Sequence, residues 1–247
     1  EDGRRIREAF VVGAGYQTLL TADYSQIEMR IMADASEDDG LIEAFASGQD
    51  FHTIMASRGF SVPADQVSGA QRAKIKAMNY GLAYGLSAFG LSQQLKIEVS
   101  EARGLMEEYF ERFGHVRDYL AGIVAEARKT GYTQTVLGRR RYLPDLNSSN
   151  RQRREMAERA ALNAPIQGSA ADIIKVAMLD VEAALTRRSL RSRMLLQVHD
   201  ELVFEVADGE LEELTELVRD KMGHAVEMQV PLAVSVGTGG SWHDAAH

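Results

Sequence analysis

Leu19-Leu20-Thr21-Ala22-Asp23-Tyr24-Ser25-Gln26-Ile27-Glu28 is an apolar run that ends on acid. Far downstream the chain does the same thing again. Met194-Leu195-Leu196-Gln197-Val198 leads into His199-Asp200-Glu201, and Leu202-Val203-Phe204 follows. Carboxylates are unfavourable inside apolar strands unless something pairs with them. Two Asp residues brought side by side repel unless a cation lies between them. A pair of divalent ions about 3.5–4 Å apart is the arrangement that transfers phosphoryl groups. Either Asp alone could equally end or cap local structure, so a third block of sequence has to decide.

Outward from the first run, residues 7–13 and 17–23 read as short strands joined at Gly13-Ala14-Gly15, a turn signal. A helix is expected over residues 25–35, with short helices near 41–47 and 51–58. Ser68-Gly69-Ala70-Gln71 has capping-box form and opens a helix to about residue 84. Residues 100–129 read as helix broken at Gly114, and Pro165 should bend or restart the helix that begins near Asn150. Two strands are expected to flank His199-Asp200, with an amphipathic helix over 210–222 and a last strand over 232–237. Helices on an antiparallel sheet make the class α+β. The nearly all-helical region interrupts the sheet strands, so a lobe over residues 36–140 is expected between sheet segments 1–35 and 141–247.

The 247 residues, 45% hydrophobic and 26% charged, suit a globular protein of one sizeable domain or two lobes. No cysteine is present, which excludes disulfides and thiolate metal sites. No apolar stretch approaches the roughly 18 residues of a membrane span, and the charged start Glu1-Asp2-Gly3-Arg4-Arg5 lacks the apolar core of a signal peptide. The net charge of −8 argues mildly against nucleic acid, but charge placement matters more than its total. Arg139, Arg140, Arg141, Arg151, Arg153, Arg154 and Arg159 form a basic stretch, while residues 205–227 are acidic.

The deciding block is the helix opened by Ser68. Arg72, Lys76, Tyr80 and Tyr84 recur at spacing four, which makes one slanted stripe of two cations and then two aromatics. Gly81 and Gly85 remove bulk beside the tyrosines. The stripe matches a nucleoside triphosphate lying along the helix, with Arg72 and Lys76 on phosphates, Tyr80 at the sugar and Tyr84 near the base. An amphipathic helix with snorkelling cations would show a similar pattern.

Taken together, Asp23-Tyr24-Ser25-Gln26-Ile27-Glu28-Met29-Arg30, Arg72-x3-Lys76-x3-Tyr80-Gly81-x2-Tyr84-Gly85 and Val198-His199-Asp200-Glu201 resemble motifs A, B and C of the family A DNA polymerases. The resemblance extends to the ending, Trp242-His243-Asp244-Ala245-Ala246-His247. It implies a palm sheet, a fingers lobe carrying the stripe helix at about 68–85, and template-directed addition of deoxynucleotides to a primer 3′-hydroxyl in replication and repair. Asp23 and Asp200, with the Tyr24 backbone carbonyl, would bind two Mg²⁺ ions, for which Mn²⁺ can substitute. Lys76 would protonate the leaving pyrophosphate, and Glu201 would be an auxiliary carboxylate. Gln26, Glu28, His52, Arg72, Lys76, Tyr80 and Tyr84 would contact the nucleotide, Glu28 as a gate against a 2′-hydroxyl. Tyr80 in place of Phe implies ready acceptance of dideoxynucleotides.

Ser87, Phe89, Arg153, Arg154, Arg159, Asn163, Gln167 and His199 would touch primer–template DNA. Donors in the minor groove check pair geometry without reading sequence. The resemblance also implies a monomer with no membrane partner, working in the bacterial cytoplasm at the nucleoid. It implies a fragment as well, lacking thumb and exonuclease segments. Two other readings use fewer of these residues: a two-metal nuclease, which leaves the stripe idle, and a non-catalytic nucleic-acid module, which needs neither Asp.

Overall fold

The computed structural model describes residues 2–246, with side chains from residue 5 onward; Glu1 and His247, the last residue of the closing resemblance, lie outside the described residues. In chain order the elements are α1 (Asp2–Glu8), β1 (Thr18–Tyr24), α2 (Ile27–Ser36), α3 (Asp39–Ala46), α4 (Phe51–Phe60), α5 (Gly69–Ala83), α6 (Ala88–Leu95), α7 (Val99–Arg112) and α8 (Gly114–Thr130). Then come β2 (Tyr132–Gln134), β3 (Arg140–Tyr142), α9 (Arg151–Arg188), β4 (Arg193–Val198), β5 (Glu201–Val206), α10 (Leu211–Gly223), β6 (Val234–Gly239) and α11 (Trp242–Ala245). The class is α+β. The chain forms two compact units, residues 1–27 with 170–247, and residues 28–169.

The first unit is built on a four-stranded antiparallel sheet in the order β4-β5-β1-β6. β1 is internal, and both of its faces are buried between residues 19 and 22. Leu19, Thr21 and Asp23 alternate onto one face, and Leu20, Ala22 and Tyr24 onto the other. On the first face Leu19 and Val203 pack with Trp242 and Ala245, and Thr21 Oγ1 donates to the Ala245 carbonyl at 2.6 Å. On the second face the Tyr24 hydroxyl donates to the Met222 carbonyl at 2.8 Å, at the end of α10. The periodicity predicts a face of Leu211, Leu214, Leu217 and Val218; α10 buries the last three together with Met222, while Leu211 in its first turn is only half-buried.

The strand expected over 7–13 is absent. Residues 2–8 are helix, and Val11 makes only an isolated bridge to Ser241. Both edges of β1 are already taken by β5 and β6, so no hairpin partner is left. The segment instead runs past the end of β6: Trp242 N donates to Phe10 O and Val12 N to Gly240 O. The last strand lies two residues later than expected.

The second unit is largely helical. Ser68 and Gln71 form the reciprocal capping box that starts α5. Buried Phe113 separates α7 from α8 at the predicted break. A small core of Ala127, Leu143, Leu146, Ala157 and Ala161 holds α8 against the start of α9. Pro165 does not restart the helix: α9 is one continuous element. Nearby, Ser169 Oγ donates to the Pro165 carbonyl and accepts from Val136 N.

Candidate active site

In the first unit, β1 delivers Asp23 opposite Glu201 of β5 and Ser235 of β6. Asp200 sits in the two-residue turn between β4 and β5. Two hydrogen bonds set that turn, from Tyr24 N to Asp200 O at 3.2 Å and from Gln197 Nε2 to His199 O at 2.7 Å. His199 and Gln26, on either side of the acidic cluster, adopt left-handed φ values of 55° and 56°. Such values are uncommon outside glycine and collect at functional sites. Gln26 Oε1 is buried with no hydrogen-bond partner in the chain.

Asp23 and Asp200 are close enough to share a proton through a side-chain hydrogen bond. Burial first, then the charges of Asp200 and Glu201 and that shared bond, push the Asp23 pKa up to about 7; Arg7 opposes weakly. Glu201 is drawn elsewhere, because its Oε1 accepts from Trp242 Nε1 at 2.6 Å. Trp242 is itself held by the Arg7 guanidinium over its ring and by the edge of Phe10. Among the described residues no three carboxylate or imidazole groups form a ready metal cluster. The donor set is a crowded pair of carboxylates, hard oxygen ligands whose mutual repulsion a dication relieves, so the residues fit a divalent metal.

A pH dependence follows. The native chain keeps a proton on Asp23 between about 4 and 7 that the unfolded chain releases. Without metal, this group therefore lowers stability as pH rises through that window. A dication ligated by Asp23 would have to displace the proton, so its apparent affinity should fall by up to about tenfold per pH unit below pH 7 and level off above. Calorimetric Mg²⁺ titrations from pH 5.5 to 8.5 would show this; a flat profile would contradict it.

In the second unit, α5 presents the stripe. Tyr80 and Tyr84 stack at 6.4 Å and 17°, and His52 of α4 meets Tyr80 at 5.7 Å. His52 is 2% exposed, and burial lowers its pKa to about 4, so it is neutral at pH 7. Asn79 Nδ2 lies 3.3 Å from its Nδ1; an amide donor there leaves the hydrogen on Nε2. The Tyr84 hydroxyl donates to Glu28 Oε1 at 2.8 Å and also meets Gln167. Glu28 and Tyr84, read separately from sequence, are therefore one hydrogen-bonded unit. Lys76 is exposed. Arg72 is held by Asp50, a residue to which the sequence reading gave no role.

The residues expected to touch DNA are distributed unevenly. Ser87 is the N-cap of α6, accepting from Gly90 N, and Phe89 beyond it is 63% exposed. Arg153 and Arg159 are exposed, whereas Arg154 donates to Ser148 O at 2.9 Å. Asn163, its amide oriented by the hydrogen bonds available, donates to Tyr84 O at 2.7 Å and Ala83 O at 3.2 Å. Asn163 and Gln167 thus buttress the end of α5. Gly85 permits this, with a left-handed φ of 65° and a position where a Cβ would lie 3.1 Å from Leu162 and 3.4 Å from the Arg159 backbone.

Comparison with known proteins adds the lineage. The family model described as DNA polymerase family A matches residues 1–244. The chain belongs to DNA polymerase family A. DNA polymerase I of Mycobacterium bovis is 69% identical over 245 residues, 99% of this chain and 27% of that protein. DNA polymerase I of Bacillus subtilis is 49% identical, over 99% of this chain and 28% of its own length. This family A chain thus spans about a quarter of the length of the curated relatives it matches. A solved structure, the POL domain of Pol1 from M. smegmatis in complex with DNA primer-template and dNTP, has 68% identity and a TM-score of 0.96. It covers 100% of this chain, which spans 44% of that one.

Proposed function

We propose that this chain is the nucleotidyl-transfer core of a template-directed DNA polymerase, with palm segments 1–35 and 141–247 and a fingers lobe 36–140. The carrying observation is the Asp23–Asp200 pair: β1 and the β4–β5 turn bring the two carboxyls within side-chain hydrogen-bonding reach. The mycobacterial relative solved with primer-template and dNTP supports the substrates.

Asp23 and Asp200, assisted by the Tyr24 carbonyl, would hold two Mg²⁺ ions. Divalent metal held there would supply Lewis-acid chemistry, lowering the pKa of the primer 3′-hydroxyl and offsetting charge on the triphosphate. Arg72 and Lys76 take the triphosphate oxygens, and Lys76 supplies a proton to the departing pyrophosphate. His52, neutral, donates from Nε2, and Gln26 offers its unpartnered acceptor. Glu28, fixed by the Tyr84 hydroxyl, covers the sugar edge and rejects a 2′-hydroxyl by bulk. Ser87, Phe89, Arg153, Arg154, Arg159, Asn163, Gln167 and His199 face primer–template. Asn163 and Gln167 do so while also supporting α5, so their replacement is expected to disturb nucleotide and DNA together.

No described helix is long and apolar enough to cross a membrane. As a polymerase core the protein would work as a monomer at the bacterial nucleoid. Primer extension by the native polypeptide tests it: synthesis should need template, Mg²⁺ and dNTPs, whereas primer shortening without dNTPs would favour a two-metal nuclease.

Tyr80 bears on chain termination. Its hydroxyl replaces the contact that a missing 3′-hydroxyl would make. Tyr80→Phe should therefore raise discrimination against dideoxynucleotides by about 10- to 100-fold, the worth of one hydrogen bond to a charged group. Competition between dNTP and ddNTP reads this out; equal termination by both proteins would refute it.

A further inference from the structure

Asp50 precedes α4 and accepts four hydrogen bonds. Its Oδ2 takes Thr53 N at 2.8 Å, Thr53 Oγ1 at 2.7 Å and Arg72 Nε at 2.8 Å; its Oδ1 takes Arg72 Nη2 at 2.9 Å. The first of these caps the helix. The last two form a bidentate fork, which fixes the plane of the guanidinium. Both side chains remain about 40% exposed (42% and 39%), where an ion pair contributes little to stability. Two residues on, His52 meets Tyr80. The start of α4 therefore touches the α5 stripe at its first and third members.

A carboxylate beside a triphosphate site would repel the ligand unless its charge were already engaged, and here Arg72 engages it. The fork occupies the Nε–Nη2 edge of Arg72. The other edge, with both Nη1 hydrogens and one Nη2 hydrogen, stays available for a second bidentate contact, the kind an arginine makes with phosphate.

We propose that Asp50 is a positioning residue for the incoming nucleotide: it clamps one edge of Arg72 so that the opposite edge is presented to the triphosphate, and through the α4 cap it sets His52 beside Tyr80. This rests on the polymerase reading above. The low pKa of Asp50, held down chiefly by the Arg72 bond, keeps the clamp charged throughout the working range.

The test uses the native polypeptide with Asp50→Ser and Asp50→Asn, both of which retain a good N-cap. Asp50→Ser cannot reach Arg72, and it is expected to raise the dNTP KM about three- to tenfold with kcat within about twofold, a cost of misorientation rather than of chemistry. Asp50→Asn, which keeps the shape but not the charge, should lie between Asp50→Ser and the parent. The melting temperature should be unchanged in both. In an Arg72→Ala background neither replacement should raise KM further. An equal rise in both backgrounds, or no rise with Arg72 present, overturns the clamp. If the parent polypeptide shows no template-dependent incorporation, the polymerase reading itself fails and the clamp with it. Normal incorporation without coupling sinks the clamp alone.

Discussion

Asp200→Ala is expected to reduce template-directed incorporation by about 10³-fold or more while leaving the protein folded. The loss is of the size seen when a preorganised electrostatic stabiliser is removed from a transition state. Asp200 does not hold the sheet together through its side chain. The turn is set through main-chain carbonyls, Asp200 O accepting from Tyr24 N and His199 O from the Gln197 side chain, and alanine keeps both. Removing it also takes away a charge and a hydrogen bond that raise the Asp23 pKa, leaving burial as the main upward push. The folded state is therefore relieved of repulsion near pH 7, and the melting temperature without metal should stay level or rise. Single-turnover incorporation and thermal unfolding, run on the same preparation, check both halves. A mutant that extends primers at near-parent rates would remove Asp200 from the metal site. One that is inactive because it is unfolded would say nothing for chemistry and would refute the predicted stability.

Gly239→Ala should be the most damaging of the small substitutions. Gly239 pairs with Leu19 in the β1–β6 ladder, and its carbonyl accepts from Thr18 Oγ1. A Cβ there would sit 2.6 Å from the Asp244 carbonyl carbon and 2.7 Å from Ala245 N. Those are backbone atoms of α11, so no side-chain rotation relieves the overlap. α11 must move, which lifts Trp242 from Leu19 and Val203, breaks the Thr21–Ala245 bond and releases Glu201 from the indole. Overpacking of this kind costs about 3 kcal/mol, the upper part of the usual range. For a chain of this size that is roughly 6–12 °C in Tm. Gly240→Ala is the control, since nothing lies within 4 Å of its Cβ. Equal Tm values for the two variants would contradict the close approach.

The chemistry of this chain was more legible than its wiring. Asp23 and Asp200 stood out because carboxylates ending apolar runs are costly without a purpose, and the structure brings them into contact. The α5 stripe was legible because spacing four is a geometric signature, and its capping box was written in Ser68 and Gln71. Pair identities across the fold were not. Tyr84 with Glu28, Asn163 with the end of α5, and Asp50 with Arg72 join residues that only tertiary packing makes neighbours. Asp50 did carry a local signal, an Asp just before a helix, but that signal announces a cap and is silent about Arg72. The misplaced strand at 7–13 has the same origin. Val11 and Val12 favour strand locally, yet sheet order leaves them no ladder.

If this chain is a polymerase core, Asp23 and Asp200 hold the catalytic dications. The most direct measurement is anomalous diffraction from crystals of the native polypeptide with primer-template, dNTP and Mn²⁺, repeated with Asp200→Ala. Mn²⁺ peaks bonded to Asp23 and Asp200 are expected in the parent, and their loss together with incorporation in the mutant. Mn²⁺ bound only elsewhere, in a protein that still extends primers after Asp200 is replaced, would contradict that assignment.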